Sequence, residues 1–330
     1  MSGAALTPQR AYDVHGIGVA IRSQEPAVIE AMELRLRDFH CDAVSRPEVR
    51  FEFVVNGRGG DRALPPLGGA SRPVYDTPFG SLDYFPDADA LDGELAGVRL
   101  RCDASRGVAL LHSAAFAGRD LYLATHPLAT IALMELLERR GLFSLHAACL
   151  STGDGRGVLL SGPSGAGKST LALALARAGM SFLSDDLVFL EPDRDGDGVR
   201  VRGFADAVGL TPHAAERFEE LRAALEMPPA DGFPKRLRRI EDLFGAPSVP
   251  VCVPYALVFP EVVRERPSAI APLDPREALV RLVPDVLLTE PAATRAHLGA
   301  LAALLGQVRC YALKSGSDLE RAAALVRDLV

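Results

Sequence analysis

Along the first 140 residues, hydrophobic positions follow two different spacings. An apolar residue at every second position predicts a β-strand, and apolar residues three or four positions apart predict an α-helix. The predicted strands cover residues 11–22, 50–55, 98–102, 108–112 and 121–125, and the predicted helices cover 25–40 and 126–140. Residues 56–73 are rich in Gly, Pro and Arg and are predicted to form a loop. We therefore expect a small α+β domain at 1–141, followed by a second domain at 142–330.

The second domain opens with a hairpin pattern. Two apolar runs, 143–150 and 158–160, flank the turn sequence Thr152–Gly157. Further strands are predicted at 181–190, 199–201, 251–259 and 308–313, and further helices are predicted after Thr170, at 214–225, at 292–305 and at the C-terminus. Ser317 and Glu320 form a capping-box pattern at the start of the last helix. Strands and helices that alternate in this way predict an α/β fold for the second domain.

A glycine-rich segment lies between the apolar run 157–161 and a helical pattern that begins at Thr170. Its residues, which we call the phosphate loop, are Gly162, Pro163, Ser164, Gly165, Ala166, Gly167, Lys168, Ser169 and Thr170. Glycines let a backbone wrap closely around phosphate oxygens, and the N–H groups at the start of the helix then face the anion. We expect Lys168 to reach the β- and γ-phosphates of ATP and Ser169 to ligate Mg²⁺.

Two adjacent acidic residues, Asp185 and Asp186, interrupt the predicted strand 181–190 and follow Lys168 by 17 and 18 positions. A helix and a short turn fill that spacing, so this strand is expected beside the phosphate-loop strand in a right-handed βαβ unit. The carboxylates would then reach the γ-phosphate region. A buried carboxylate needs a partner, which a metal ion, a substrate hydroxyl or a histidine can supply. The alternative is a strand end or bulge at which both carboxylates are solvated.

A histidine, His146, lies in the predicted strand that pairs with the phosphate-loop strand. We expect it near Asp185, where a hydrogen bond between imidazole and carboxylate would orient both groups. The alternative is a histidine that packs in the core with a purely structural role.

A basic run covers residues 235–239. One hypothesis is that Arg236 or Lys235, carried on a loop, stabilises negative charge on a phosphoryl group during its transfer. The alternative is a solvated helix face whose cations pair with Glu241 and Asp242.

The composition limits the classes of protein. A net charge of −7 argues against a nucleic-acid-binding surface. The five cysteines are scattered without a CxxC pattern, which indicates neither a zinc site nor a disulfide framework, and a cytoplasmic location is expected. No secretory signal pattern occurs at residues 1–10 and no run of about 18 apolar residues occurs, so no membrane partner is expected. The oligomeric state stays open, a homo-oligomer included.

The stretch 145–192 resembles the catalytic domain of HPr kinase/phosphorylase and its relatives. The resemblance is carried by a strand with a histidine before a small residue, a hairpin to Gly157-Val-Leu-Leu, the phosphate loop, an Ala-Leu-rich helix and the strand Ser184-Asp-Asp-Leu-Val188. It implies an α/β catalytic domain of the HPr-kinase and PEP-carboxykinase type, with ATP and Mg²⁺. It also implies that Asp185 is the base that takes a proton from a serine hydroxyl, that His146 supports it, and that Lys168 and Ser169 hold nucleotide and metal.

The sequence also departs from that family. The His-Gly of HPr kinase is His146-Ala147 here, and the family's metal-linked glutamate aligns with Arg200. A second metal contact would then fall to Asp186 or Asp206. The long glycine–arginine motif of HPr kinases is missing, so HPr is not the expected substrate. The chain looks more like the HPr-kinase-related proteins that modify other small proteins or ribosomally made peptides, including lasso-peptide precursors.

Three functions therefore remain open. The first is an ATP-dependent serine kinase that acts on a small protein or peptide, with the first domain recognising the substrate. The second is a small-metabolite kinase or a PEP-carboxykinase-like enzyme, although no extra metal ligands or anion-binding arginines stand out. The third is a nucleotide-dependent switch without enzymatic activity. The paired aspartates argue against the third function, because nucleotide binding alone needs only the phosphate loop.

Overall fold

The chain folds into two compact units, each with its own large mixed β-sheet. The computed structural model describes residues 9–44, 46–56, 66–193, 195, 198–204, 208–210, 217–222, 236–263, 267–286 and 289–330. Of these, the first unit contains the residues up to Arg140 together with Thr289–Thr294. The second unit contains the other described residues from Gly141 onwards.

The first unit is built on a nine-stranded sheet in the order β3-β1-β2-β4-β9-β8-β7-β6-β5. Its strands are β1 (Gln9–Val14), β2 (Ile17–Ser23), β3 (His40–Cys41), β4 (Val49–Val55), β5 (Arg72–Thr77), β6 (Gly80–Phe85), β7 (Ala90–Leu95), β8 (Val98–Asp103) and β9 (Val108–Ser113). The pairs β2–β4 and β4–β9 are parallel and the other pairs are antiparallel. Its helices are α1 (Pro26–Leu36), α2 (Gly118–Leu123) and α3 (Ala129–Glu138).

Three sequence predictions for this unit were wrong or incomplete. Residues 11–22 are two strands of a hairpin, because His15 and Gly16 both adopt positive φ and turn the chain. Residues 121–125 are helical, and a π-helical turn joins α2 to α3 around Pro127. Strands β5 to β7 were not predicted, because Gly and Asp residues interrupt their alternation of apolar and polar positions.

A carboxyl group lies in the core of the first unit. Glu135 on α3 is 1% exposed, and it accepts hydrogen bonds from Thr289 Oγ1 at 2.8 Å and from Arg139 Nη2 at 2.6 Å. Arg139 also donates to Asp89. Burial raises the pKa of Glu135 to about 7, although Arg139 and the hydrogen bond from Thr289 act in the opposite direction.

The second unit also contains a nine-stranded sheet. Its strands are β10 (Phe143–Leu145), β11 (Ala147–Ser151), β12 (Arg156–Ser161), β13 (Ser181–Ser184), β14 (Val188–Pro192), β15 (Val199–Gly203), β18 (Val251–Val262), β19 (Ala269–Pro272) and β20 (Arg309–Ser315). Seven of them follow the order β10-β14-β15-β18-β12-β11-β13, and β20 pairs with both β18 and β19. A separate two-stranded sheet consists of β16 (Val208–Leu210) and β17 (Arg236–Arg238).

Helices cover both faces of this sheet. Among the described residues, the helices from the phosphate loop onwards are α4 (Lys168–Arg177), α5 (Ile240–Phe244), α6 (Pro275–Leu282), α7 (Pro291–Gln307) and α8 (Leu319–Arg327). Val158 and Leu160 of β12 belong to one apolar cluster with α4 and α8, and Leu159 belongs to another with α6 and α7. Because alternate residues of a strand point to opposite faces, the second unit has an α/β/α layer structure, and the predicted α/β fold class is correct.

The structure confirms the predicted hairpin of β11 and β12, in which Ala147 pairs with Ser161. The capping box at Ser317 is wrong: the N-cap residue of α8 is Asp318, and its Oδ1 accepts hydrogen bonds from the N–H and Oγ of Ser268 instead. Only residues 217–222 of the predicted helix 214–225 lie within the described part of the chain. Among the described residues, no helix has the length and hydropathy needed to cross a membrane.

Replacement of Glu135 by Gln should change how stability depends on pH. The folded chain keeps the Glu135 proton up to about pH 7, whereas the unfolded chain releases it near pH 4.3. This group therefore lowers the free energy of unfolding as the pH rises between those values. Between pH 4 and pH 8, the free energy of unfolding measured with urea should fall by roughly 3 kcal/mol more in the wild type than in Glu135→Gln. The exposed Glu94→Gln is the control, and parallel pH profiles for all three proteins would contradict the assignment.

Candidate functional site

The phosphate loop joins the end of β12 at Ser161 to the start of α4 at Lys168. Gly165 and Gly167 have φ values of +83° and +96°, a left-handed conformation that favours glycine. A Cβ at Gly167 would also lie 3.1 Å from Val262 Cγ2 at the end of β18. The loop therefore needs glycine at these two positions for its path from strand to helix.

Lys168 folds back over the loop that precedes it. Its Nζ donates hydrogen bonds to the carbonyl oxygens of Gly162 at 2.5 Å and Pro163 at 3.3 Å, and the residue is only 7% exposed. Ser169, the next residue in the first turn of α4, is exposed. An ammonium group within the loop and a hydroxyl at the helix N-terminus suit a polyphosphate with a divalent cation.

Three neighbouring strands bring the predicted site residues to one edge of the sheet. Strand β11 pairs antiparallel with β12 on one side and with β13 on the other. His146 directly precedes β11, and Ser161 Oγ is 3.4 Å from the His146 carbonyl oxygen. Strand β13 ends at Ser184, which pairs with Cys149 of β11. The phosphate loop, His146 and the aspartate pair therefore follow each other along this edge.

This order corrects the expected βαβ unit. The strand that precedes Asp185 was expected directly beside the phosphate-loop strand, but β11 lies between β12 and β13. The two outer strands still run in the same direction, because each is antiparallel to β11. The carboxylates therefore lie two strand positions away from the phosphate loop, with His146 at the strand between them.

A buried serine shapes the turn that carries the aspartates. Ser184 is 2% exposed, and its Oγ lies 3.0 Å from the carbonyl oxygen of Phe204, to which it donates. Ser184 Oγ also accepts hydrogen bonds from the backbone N–H groups of Asp186 and Leu187. These bonds stabilise the break between β13 and β14, where Asp185 and Asp186 lie. This role of Ser184 was not predicted from the sequence, although a serine directly before two aspartates is a common turn signal.

The two aspartates have different surroundings. Asp186 is exposed, and its Oδ1 lies 3.1 Å from His146 Nδ1. His146 was expected to contact Asp185, but it contacts Asp186 instead. The side chain of His146 is 37% exposed. Asp185 is half-buried, and its Oδ1 is excluded from solvent. A pair of this kind offers one shielded carboxylate and one solvated carboxylate held by imidazole.

The middle of the basic run is a strand and neither a loop nor a helix face. Arg236–Arg238 form β17, in which Arg236 pairs with Leu210 of β16. The backbone of Arg236 is described but its side chain is not, and Lys235 lies outside the described residues. Of the proposed ion pairs, Arg239 Nη2 contacts Glu241 Oε1 at 3.0 Å. A role for Arg236 in charge stabilisation stays a prediction.

Among the described residues, no three His, Cys, Asp or Glu side chains come together as a metal site. A magnesium ion at a phosphate loop needs fewer protein ligands, because water and phosphate oxygens complete its octahedron. Arg200 aligns with the family's glutamate, and it pairs with Asp193 at 3.7 Å. This contact lies at the start of β15, the end of the strand that is away from the aspartate pair. Asp206 lies outside the described residues.

No protein-family model and no curated protein matches the chain. Among solved structures, the chain is similar to the HPr(Ser) kinase/phosphatase from Coxiella burnetii, with 16% sequence identity and a TM-score of 0.31. The match covers 56% of this chain and 94% of that protein.

Replacement of Ser184 by Ala should destabilise the second unit. The variant leaves the Phe204 carbonyl and two backbone N–H groups without the buried hydroxyl, which should cost about 1–3 kcal/mol. Urea unfolding measures the loss. Ser181→Ala is the matched control, because Ser181 is half-buried in the same strand. Equal stability of the two variants would show that the Ser184 hydroxyl does not hold the aspartate turn.

Proposed function

We propose that this protein is an ATP-dependent kinase that phosphorylates a serine hydroxyl of a small protein or a ribosomally made peptide. One observation carries the proposal: a phosphate loop and a half-buried aspartate follow two strands that run in the same direction on either side of β11, at the same edge of one sheet. A nucleotide switch would need the loop but not the carboxylate. The choice of a polypeptide acceptor is supported by the motif resemblance at residues 145–192 and not by the geometry.

The proposed reaction is an in-line transfer. Asp185 accepts the proton of the acceptor hydroxyl, the hydroxyl oxygen forms a bond to the γ-phosphorus, and the bond from that phosphorus to the β-γ bridging oxygen breaks. ADP leaves with the electron pair of the broken bond. We assign this role to Asp185, because its Oδ1 is shielded from solvent, whereas Asp186 is exposed and lies against His146.

The remaining residues of the proposed site bind the phosphates and Mg²⁺ or orient other side chains. Lys168 lies within the phosphate loop, where its ammonium group offsets negative charge on the β- and γ-phosphates. Ser169 and Asp186 are the proposed holders of Mg²⁺, which, when bound, neutralises charge on the phosphate oxygens. His146 lies against Asp186 at the strand between the loop and the aspartates, and there it orients that carboxylate. Arg236 is retained as a candidate cation for the transferred group.

The proposal predicts a different defect in each of two variants. Lys168→Ala should lose ATP binding, whereas Asp185→Asn should still bind ATP but transfer phosphate at least about 10² times more slowly. The assay follows label from γ-labelled ATP with Mg²⁺ into the small proteins and peptides of a cell extract, and hydrolysis of the labelled product should yield phosphoserine. ATP binding is measured separately by calorimetry.

Asp193→Asn is the control for this assay, because Asp193 is an exposed carboxylate at the far end of β14. Transfer at the wild-type rate by Asp185→Asn would remove Asp185 as the base. Release of free phosphate without a labelled polypeptide would replace the kinase by a nucleotide-hydrolysing switch.

The contact between His146 and Asp186 gives an independent prediction. A solvent-exposed contact between two polar side chains contributes little to stability, so His146→Ala and Asp186→Asn should each leave the urea midpoint almost unchanged. Each should lower the transfer rate by about tenfold or more, and the double variant should be no slower than the slower single variant, because the residues act as one unit. Fully additive rate losses would show that the two side chains act separately.

A further inference from the structure

A groove of about 820 Å³ opens in the second unit, away from the phosphate loop. Its walls are the C-terminal end of α4 and the exposed side of α8, and the segment at Arg217 and Phe218 closes it. Phe218 is buried at its base, and Leu319 is half-buried beside it. Ala174 on α4 and Ala323 on α8 also line the groove with small apolar side chains. The groove therefore has an apolar floor.

The rim of the groove is cationic. Its basic residues are Arg177, Arg217, Arg321 and Arg327, and its acidic residues are Asp318 and Glu320. Asp318 is already bound, because its Oδ1 accepts hydrogen bonds from Ser268 and its Oδ2 lies 3.9 Å from Arg321. The rim thus presents more positive than negative charge, although the whole chain has a net charge of −7.

The four arginines differ in how their charge is used. Arg177 Nε contacts Glu220 Oε1 at 2.9 Å, and Arg321 contacts Asp318. Within the described part of the chain, the side chains of Arg217 and Arg327 make no ion pair or hydrogen bond, and both residues are exposed. A guanidinium group binds a carboxylate through two parallel hydrogen bonds, so two arginines of this kind can each take one carboxylate of a ligand.

We propose that this groove binds an acidic segment of a polypeptide partner, with an apolar side chain on the Phe218–Leu319 floor and carboxylates on Arg217 and Arg327. On the proposed kinase function, the segment belongs to the phosphate acceptor. At physiological ionic strength the Debye length is about 8 Å, so the negative charge elsewhere on the chain does not prevent an acidic ligand from binding here. The combination of apolar floor and guanidinium rim favours a polypeptide, because a simple anion would not use the floor.

The position of the groove sets the spacing in the acceptor. Helix α4 has ten residues and is therefore about 15 Å long, with Lys168 at one end and the groove at the other. An extended chain covers about 3.3 Å per residue. The docked segment should therefore be separated from the phosphorylated serine by at least about five residues.

Selection from a displayed random-peptide library tests the groove directly. The immobilised full-length chain is used without nucleotide, and the enriched peptides should carry Asp or Glu on both sides of an apolar residue. Synthetic copies are then measured by fluorescence anisotropy. Arg217→Glu and Arg327→Glu should each weaken their binding by about tenfold or more, and added salt should weaken it too. Arg276→Glu, an exposed arginine on α6, is the control and should bind as the wild type does.

Two results would overturn the groove assignment. The first is the absence of acidic peptides among the enriched sequences, or binding that Arg217→Glu and Arg327→Glu leave unchanged. The second is equally tight binding of a single-stranded oligonucleotide with the same sensitivity to these variants, which would indicate a general anion surface.

Lys168→Ala separates the groove from the kinase. It should bind the selected peptides as the wild type does, because the assay uses no ATP. Peptide binding without phosphate transfer to any acceptor would contradict the proposed kinase function but would still support the groove as a peptide-binding site. The converse result is phosphate transfer by Arg217→Glu at the wild-type rate to an acceptor that has no acidic segment. That result would support the kinase function and show that the groove does not recognise the substrate.

Discussion

Strand β11 holds the candidate site together, because its backbone hydrogen bonds reach β12 on one side and β13 on the other. The first pairing sets His146 beside the phosphate loop, with Ala147 opposite Ser161. The second pairing sets the end of β13 opposite Cys149 and so fixes where the aspartate turn begins. A shift of either register by one residue would turn every side chain of the shifted strand to the other face. The buried apolar residues on both faces of the sheet oppose such a shift.

A second constraint is the need to satisfy buried polar groups where the strands stop. Strand β13 cannot continue through two carboxylates into an apolar core, since burial of an unpaired charge is costly. The chain instead breaks after Ser184, whose hydroxyl bonds to the backbone on both sides of the break. Lys168 follows the same rule, since its buried ammonium group lies against the carbonyl oxygens of Gly162 and Pro163. Polar chemistry is thus concentrated where regular pairing ends.

Prediction from the sequence succeeded where local pattern and tertiary structure agree. The strand, loop and helix around the phosphate loop follow from apolar spacing and from glycines whose positive φ other residues avoid. The hairpin of β11 and β12 follows from its turn residues in the same way. Prediction failed where spacing was ambiguous, as at 121–125, where Leu121 and Leu123 fit a strand but belong to a helix. It also failed for β5 to β7, in which cross-strand pairing compensates for residues of low strand propensity.

The sequence by itself determined the phosphate loop, the aspartate pair and the α/β character of the second unit, because each depends on residues close together along the chain. It did not determine the order of the strands, and therefore placed β13 directly beside β12. It also did not determine which aspartate contacts His146. Those features depend on pairing between segments that are distant in sequence, such as β11 with β13 and α4 with α8. Only the tertiary structure decided them, because the free energy of such pairing comes from burial and registry that no local pattern encodes.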